Sequence, residues 1–328
     1  MDNTKTWAVS LFIGISFYLG FGYSLLLSIT NTDALISLIF GSAIGFGIIW
    51  GLEYLKEKWV GNNILNRILI TIFSLFLYSQ IVFIFQTFAS SFFLLKTPIW
   101  FLGLPIPFLI YKISKQGIKT IGLLAESLIP IALFLILLTY FGLLKNIKLD
   151  YLTPIFKTNT IDILKGSLLV AMYSSAPYFL LLNIPLDKNK LKVKFLVCQI
   201  LLTITCFFII TTLGPSLISI YRYPEYMLLK EINIFNFMEK VENIISIVWL
   251  FSLFILLSLC GYNLKENLQF KNKDYLFIIS LILLYLFSLL ESTHYIEELK
   301  VYYILMYIFL GFISLFFIIN LLARKKIS

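Results

Sequence analysis

The chain has 328 residues, of which 60% are hydrophobic and only 13% are charged. Soluble domains contain about 45–50% apolar and about 25% charged residues, so the composition excludes a soluble globular protein and predicts one that crosses a membrane several times. The net charge of +9 does not indicate nucleic-acid binding, because the lysines lie in short loops between apolar stretches, as they do in membrane proteins.

Ten apolar stretches approach the roughly 20 residues that a transmembrane helix needs. The predicted spans are Trp7–Ile29, Ala34–Leu52, Ile64–Leu94, Pro98–Tyr111, Ile118–Leu144, Gly166–Pro185, Phe195–Ile218, Val241–Tyr262, Tyr275–Leu290 and Val301–Leu322. The fourth and the ninth are short. The sequence therefore predicts an all-α polytopic membrane protein with a single transmembrane domain over residues 1–328.

The distribution of positive charge predicts the orientation of the spans. Ten spans place both termini on the same side, and that side holds 17 of the 26 lysine and arginine residues, against 9 on the other. Cytoplasmic loops carry the excess of lysine and arginine, so both termini are predicted to be cytoplasmic. The two longest outer loops, Asn146–Lys165 and Ser219–Lys240, each have room for a short interfacial helix.

Ten spans also divide into two sets of five, over residues 7–144 and 166–322. Because five is odd, the second set enters the membrane from the opposite side, as the inverted repeats of secondary transporters require. The first helix of each set is then expected to be interrupted near the middle of the membrane, where such folds bind their ligands.

The first span carries a candidate interruption. Gly20 and Gly22 flank Phe21 and are followed by Tyr23 and Ser24. A glycine inside a helix costs roughly 1 kcal/mol relative to alanine. Small residues also allow helices to pack closely, so packing is the alternative interpretation. Packing is the role expected of three glycines in the second span, Gly41, Gly45 and Gly47.

The third and fifth spans contain the polar residues expected to line a central site or to support it. Tyr78 and Gln80 are candidates for ligand contacts, although glutamine also joins helices through hydrogen bonds. Glu126 is an ionisable residue inside a span, a class that is rare and often functional. It could pair with a lysine, carry a proton or extend toward the cytoplasmic end, and a structural pair is the favoured interpretation.

The sixth span, Gly166–Pro185, is apolar at both ends and polar in the middle. Tyr173, Ser174, Ser175 and Pro177 fall at the centre. Proline cannot donate a backbone hydrogen bond and its ring clashes with the carbonyl four residues earlier. Such a break is tolerated in lipid only inside protein or beside a water-filled cavity, so a discontinuous helix with a binding site is predicted. A simple proline kink is the alternative.

Little in the sequence indicates an enzyme. The single histidine, His294, lies in a predicted loop without a nucleophile or metal-ligand spacing around it, and no phosphate-binding glycine loop is present. Cys198, Cys206 and Cys260 match no metal motif and are expected to be buried thiols. We therefore predict no catalytic activity, no cofactor and no metal.

A more specific pattern follows the seventh span. It consists of Tyr223-Pro224, the hydrophobic stretch Ile232–Phe237, the charged group Glu239-Lys240-Val241-Glu242 and Trp249 in the eighth span. Glu239 and Glu242 would complement the dipole at the start of that helix. This pattern resembles the B subunits of spore germinant receptors, the GerAB-like family, although Lys240 replaces the usual arginine. The fifth-span Glu126 and the span count fit the same resemblance.

The resemblance implies a fold like that of amino acid–polyamine–organocation transporters, similar to LeuT, with broken first and sixth helices. It also implies a receptor in the inner membrane of the endospore, with an A-type subunit and a lipoprotein C-type subunit as partners. The ligand would be a small germinant, often an amino acid, bound between Gly20–Ser24 and Tyr173–Pro177. An amino-acid transporter of the same superfamily and a structural subunit with a vestigial cavity are the alternatives.

Overall fold

The computed structural model describes residues 3–16, 22–57, 64–182, 184, 191–218, 220–232, 241–268, 274–293 and 298–325. These residues are overwhelmingly helical, and none of them lies in a β-strand. The α-helices of the described chain are α1 Asn3–Ser16, α2 Tyr23–Thr30, α3 Ala34–Glu57, α4 Ile64–Phe92, α5 Ile99–Gly103, α6 Pro105–Gln116, α7 Ile118–Leu143, α8 Thr160–Ser175, α9 Leu191–Leu213, α10 Pro215–Ile218, α11 Pro224–Lys230, α12 Val241–Asn267, α13 Asp274–Thr293 and α14 Glu298–Lys325.

The helices coincide with the ten predicted apolar stretches. Six helical stretches in the described chain are long and apolar enough to cross a membrane: Tyr23–Leu55, Ile64–Phe92, Ile118–Asn146, Leu191–Leu213, Ser246–Asn267 and Ile304–Leu321. The predicted all-helical polytopic architecture is confirmed at this level. The arrangement as ten spans in two inverted sets of five stays a prediction, because helices such as α1, with 14 residues, reach only about 21 Å.

Two of the three α3 glycines for which packing was predicted do pack closely. The helix packs along α8 and α9, and a Cβ atom at Gly41 would lie 2.5 Å from the carbonyl oxygen of Ser167. A Cβ at Gly45 would lie 2.7 Å from the ring of Phe195. A Cβ at Gly47 would have no described neighbour within 4 Å. The packing role predicted from sequence is therefore confirmed for Gly41 and Gly45 and wrong for Gly47.

A buried carboxylate fastens the long loop between α7 and α8 to the turn between α2 and α3. Asp33 is 1% exposed, and it accepts hydrogen bonds from the backbone N–H groups of Phe156, at 2.7 Å, and Thr158, at 2.8 Å. The Thr158 hydroxyl also donates to the carbonyl of Thr30. The chain direction predicted from charge places this contact on the outer side.

Both loops predicted to have room for a short interfacial helix contain a short helix. The first outer loop contains a 3₁₀ helix at Leu149–Leu152, and the second contains α11. The three cysteines are free and buried, as predicted.

We expect Gly41→Ala to lower the free energy of unfolding by about 1–3 kcal/mol, because the new methyl group meets a backbone carbonyl that cannot move aside. Gly47→Ala on the same helix is the matched control. It should leave stability unchanged or raise it by up to about 1 kcal/mol, since alanine is the better helix former. Unfolding in mixed detergent micelles measures both, and equal effects would contradict the close contact between α3 and α8.

We expect Asp33→Ala to cost about 2 kcal/mol or more, because two backbone N–H groups lose their acceptor in a buried position. Cleavage by trypsin after Lys157 should become faster as the loop detaches. Asp150→Ala, which removes an exposed carboxylate from the same loop, is the control. Cleavage that is equally slow in both variants would show that Asp33 does not hold the loop.

Candidate ligand-binding site

The sixth predicted span changes its helical form at the predicted position. The α-helix α8 ends at Ser175 and a 3₁₀ helix continues over Ala176–Leu181. The Ser174 and Ser175 hydroxyls each donate to the carbonyl four residues earlier at 2.6 Å, a pattern that bends helices. Pro177 contributes to the change, because proline has no backbone N–H to donate to the carbonyl of the preceding turn. By contrast, α7 continues through Pro130, so proline alone does not interrupt a helix in this chain.

The first predicted span is described as α1 up to Ser16 and as α2 from Tyr23. Residues 17–21, with Gly20 among them, lie outside the described residues, so the interruption predicted in this span stays a prediction. Gly22, directly before α2, has α-helical backbone angles, with φ −59° and ψ −45°. The indole N–H of Trp249, on α12, donates to the carbonyl of Ser16 at 3.0 Å. This hydrogen bond joins α12 to α1.

The 3₁₀ helix lies against α1, α4 and α12. The Tyr178 hydroxyl donates to the carbonyl of Ser10 on α1 at 3.0 Å. The Asn263 amide, on α12, donates to the carbonyl of Leu180 at 3.0 Å. Helix α12 therefore supplies one hydrogen bond to α1 and one to the 3₁₀ helix.

Several residues predicted to bind ligand are buried around this point. Tyr173, Ser174 and Ser175 at the end of α8 have no exposed surface, and Tyr78 and Gln80 are buried on α4. The Tyr78 hydroxyl has no hydrogen-bond partner among the described residues, and neither does the Asn263 side-chain oxygen. A buried polar atom without a partner costs free energy, so these two atoms are available to a bound polar molecule.

Two other predicted ligand residues point elsewhere. The Tyr23 hydroxyl donates to the carbonyl of Leu202 on α9 at 2.6 Å. The Ser24 hydroxyl donates to the carbonyl of Tyr221, in the segment before α11, at 3.5 Å. These hydrogen bonds join α2 to α9 and to the predicted outer loop, so Tyr23 and Ser24 hold helices together in this structure.

The Tyr-Pro and Trp residues that sequence analysis singled out meet in one aromatic cluster, made of Phe88, Phe92, Tyr223, Tyr226 and Trp249. The ring centroids of Phe88 and Trp249 are 4.1 Å apart, and those of Phe88 and Tyr223 are 5.4 Å apart. Phe92 packs on Tyr226 at 3.9 Å. Pro224 is buried as the first residue of α11, where its fixed φ suits the start of a helix.

The cluster is also anchored by a hydrogen bond. The hydroxyls of Tyr223 and Thr87 lie 3.3 Å apart, which joins the start of α11 to α4. The motif residues thus fix a short outer helix against the core.

Three acidic residues were also predicted to have structural or coupling roles. Glu126 is half-buried on α7, and the ion pairs found within the described chain, Lys115–Asp274 and Lys165–Asp162, do not include it. Glu239 lies outside the described residues. Glu242 belongs to the first turn of α12.

A cavity of about 110 Å³ lies beside the aromatic cluster, between α1, α4, α7, α9, α11 and α12. It has room for a small organic molecule, because about 10–15 Å³ suffices for one water. Its walls are mainly aliphatic and aromatic, with Ile136, Leu201, Phe88 and Trp249 among them.

Glu225, the second residue of α11, lines this cavity. Both of its carboxylate oxygens are buried, and neither has a hydrogen-bond partner within the described part of the protein. Burial raises the pKa of the Glu225 carboxyl well above its ordinary range. Sequence reasoning missed Glu225, because an acidic residue in the first turn of a loop helix is normally solvated and complements the helix dipole.

Comparison with known proteins agrees with this architecture. A family model described as "Spore germination protein" matches residues 9–296. The chain is 26% identical over 273 residues to YfkT of Bacillus subtilis (strain 168), a candidate spore germination protein by its name. That alignment covers 76% of this chain and 75% of YfkT.

The matched region runs from within α1 to the end of α13, so it includes the change of helix type after Ser175, the aromatic cluster and the cavity. The chain belongs to the spore germination protein family.

Proposed function

We propose that the protein is a germinant-sensing membrane subunit, which binds a small nutrient, such as an amino acid, beside the interruption at Ser175–Ala176 and signals to partner subunits. The observation that carries the proposal is the change from α-helix to 3₁₀ helix at this point, inside a member of the spore germination protein family. The partners would be an A-type subunit and a lipoprotein C-type subunit in the inner membrane of the endospore, with both termini of this chain cytoplasmic.

The contacts around the interruption support a small polar ligand. The 3₁₀ helix packs against α1, α4 and α12, and the last two carry the Tyr78 hydroxyl and the Asn263 oxygen, which have no partner among the described residues. Helix termini at a break offer backbone N–H groups to a carboxylate. The inverted repeat of residues 7–144 and 166–322, with Gly20 and Gly22 at the first break, belongs to the same proposal.

Signalling requires that the ligand bind one conformation more tightly than another. Helix α12 is the natural carrier, because Trp249 holds the end of α1 and Asn263 holds the 3₁₀ helix. A ligand that contacts Asn263 would weaken or strengthen its hydrogen bond to Leu180. Helix α12 would then shift relative to α1 and the 3₁₀ helix, and the surface that contacts the partner subunits would change.

Deletion of this chain from the spore-forming source strain tests the proposal. We expect spores to lose their germination response to particular amino acids in a panel, and the wild-type chain supplied in trans to restore it. Normal germination with every nutrient would remove the sensing role. If the deletion instead lowers uptake of labelled amino acids into membrane vesicles, the amino-acid transporter becomes the better description.

Within the complemented strain, Tyr78→Phe should raise the nutrient concentration needed for half-maximal germination by roughly tenfold, since one hydrogen bond to the ligand is lost. Protein stability should not fall, because the hydroxyl that is removed has no hydrogen-bond partner among the residues that the structure describes. Tyr275→Phe, at a tyrosine that is 61% exposed, is the control. An unchanged dose response for Tyr78→Phe would place the ligand away from α4.

Ser175→Trp should abolish the response altogether, because a bulky side chain would fill the fully buried position at the break. Leu137→Trp, at an exposed position on α7, controls for the insertion of tryptophan, and the amount of each protein in the spore membrane is measured in parallel. A normal response from Ser175→Trp would show that the site is elsewhere.

A further inference from the structure

We propose that the cavity beside the aromatic cluster is a second ligand site, which binds a small organic ammonium ion with an apolar body through the Glu225 carboxylate. The inference rests on the cavity itself and does not depend on nutrient binding at the interruption near Ser175.

The Glu225 carboxylate is the polar group that needs an explanation. Both oxygens are buried at the wall of the cavity, and none of the described residues donates a hydrogen bond to them. The ion pairs within the described chain do not involve Glu225. A native protein rarely leaves a buried carboxylate without a donor unless a ligand, an ion or a reaction uses it. The raised pKa reflects the same lack of compensation.

The residues that line the cavity indicate which kind of ligand fits it. A carboxylate accepts hydrogen bonds and attracts a positive charge, so an ammonium group fits and an anion is repelled. Phe88, Tyr226 and Trp249 line the same cavity, and aromatic rings attract organic cations that approach their faces. The remaining walls include Ile15, Ile136 and Leu201, which suit an aliphatic body.

A metal ion fits the cavity poorly. Calcium and magnesium require about six oxygen ligands, whereas Glu225 supplies the only carboxylate among the lining residues. The Thr139 hydroxyl donates to the carbonyl of Leu135, and the Thr205 hydroxyl is bonded to the carbonyl of Leu201 and to the Tyr140 hydroxyl. No group of three or more potential metal ligands occurs in the described chain.

The cavity is connected to α1 through Trp249. Helix α11 belongs to the predicted outer loop, so the site would be reached from the outer side. Trp249 lines the cavity with its ring and donates its N–H to the carbonyl of Ser16. An occupant would therefore touch the side chain that holds the end of α1.

Binding to the purified full-length chain in lipid nanodiscs tests the inference. The probe is isobutylammonium, and isobutanol has the same skeleton without the charge. Titration calorimetry should show the ammonium ion binding the wild-type chain at least roughly tenfold more tightly than the alcohol, because a charge-assisted hydrogen bond is made only by the ion. Equal affinity for the two probes, or no measurable binding of the ammonium ion, would overturn the proposal. Both outcomes are measured on the wild-type chain alone.

Glu225→Gln should abolish this preference, since it keeps the shape of the side chain and removes its charge. Glu231→Gln removes an exposed glutamate from the same segment and should bind like the wild type. An intact preference in a correctly folded Glu225→Gln protein, as judged by gel filtration, would also overturn the assignment. Neither result depends on germination, so failure here is distinguishable from failure of the proposed sensing function.

Discussion

The arrangement of this bundle depends on side-chain donors that reach backbone carbonyls of neighbouring helices. In apolar surroundings water does not satisfy such groups, so protein side chains must do so. The carbonyl of Ser16 at the end of α1 receives the Trp249 indole N–H, and the carbonyl of Leu180 in the 3₁₀ helix receives the Asn263 amide. Both donors belong to α12, where their separation along the helix axis is about 21 Å. One helix therefore holds both α1 and the 3₁₀ helix.

The parts of the chain away from these hydrogen bonds are held by contacts that leave little room for adjustment. Helix α3 approaches α8 so closely at Gly41 that a single methyl group would meet the Ser167 carbonyl. At the predicted outer side, Asp33 binds two backbone N–H groups of the loop that leads into α8. These contacts fix the start of α8, so that its change to a 3₁₀ helix at Ser175 occurs at a defined depth against α1, α4 and α12.

Buried polar atoms without partners among the described residues occur at both proposed ligand sites. Near the interruption they are the Tyr78 hydroxyl and the Asn263 oxygen, and at the outer cavity they are the two oxygens of Glu225. Trp249 lies between these places, because its ring lines the cavity and its N–H holds α1. Each place therefore contains a side chain of α12 that donates a hydrogen bond to another helix, Trp249 at the cavity and Asn263 near Ser175.

The sequence by itself determined the helical membrane architecture, since the apolar stretches coincide with helices, and it determined the family through Tyr223-Pro224 and Trp249. It also located the change of helix type at Ser175, because Pro177 and two adjacent serines act on their own helix. Only the tertiary structure decided which glycines pack closely, which hydroxyls have partners and that the Glu225 carboxylate is buried. Local patterns report the backbone preferences of neighbouring residues. The burial of a side chain depends on helices distant in sequence, as when α7, α9 and α12 enclose a glutamate that sequence alone places in a solvated loop.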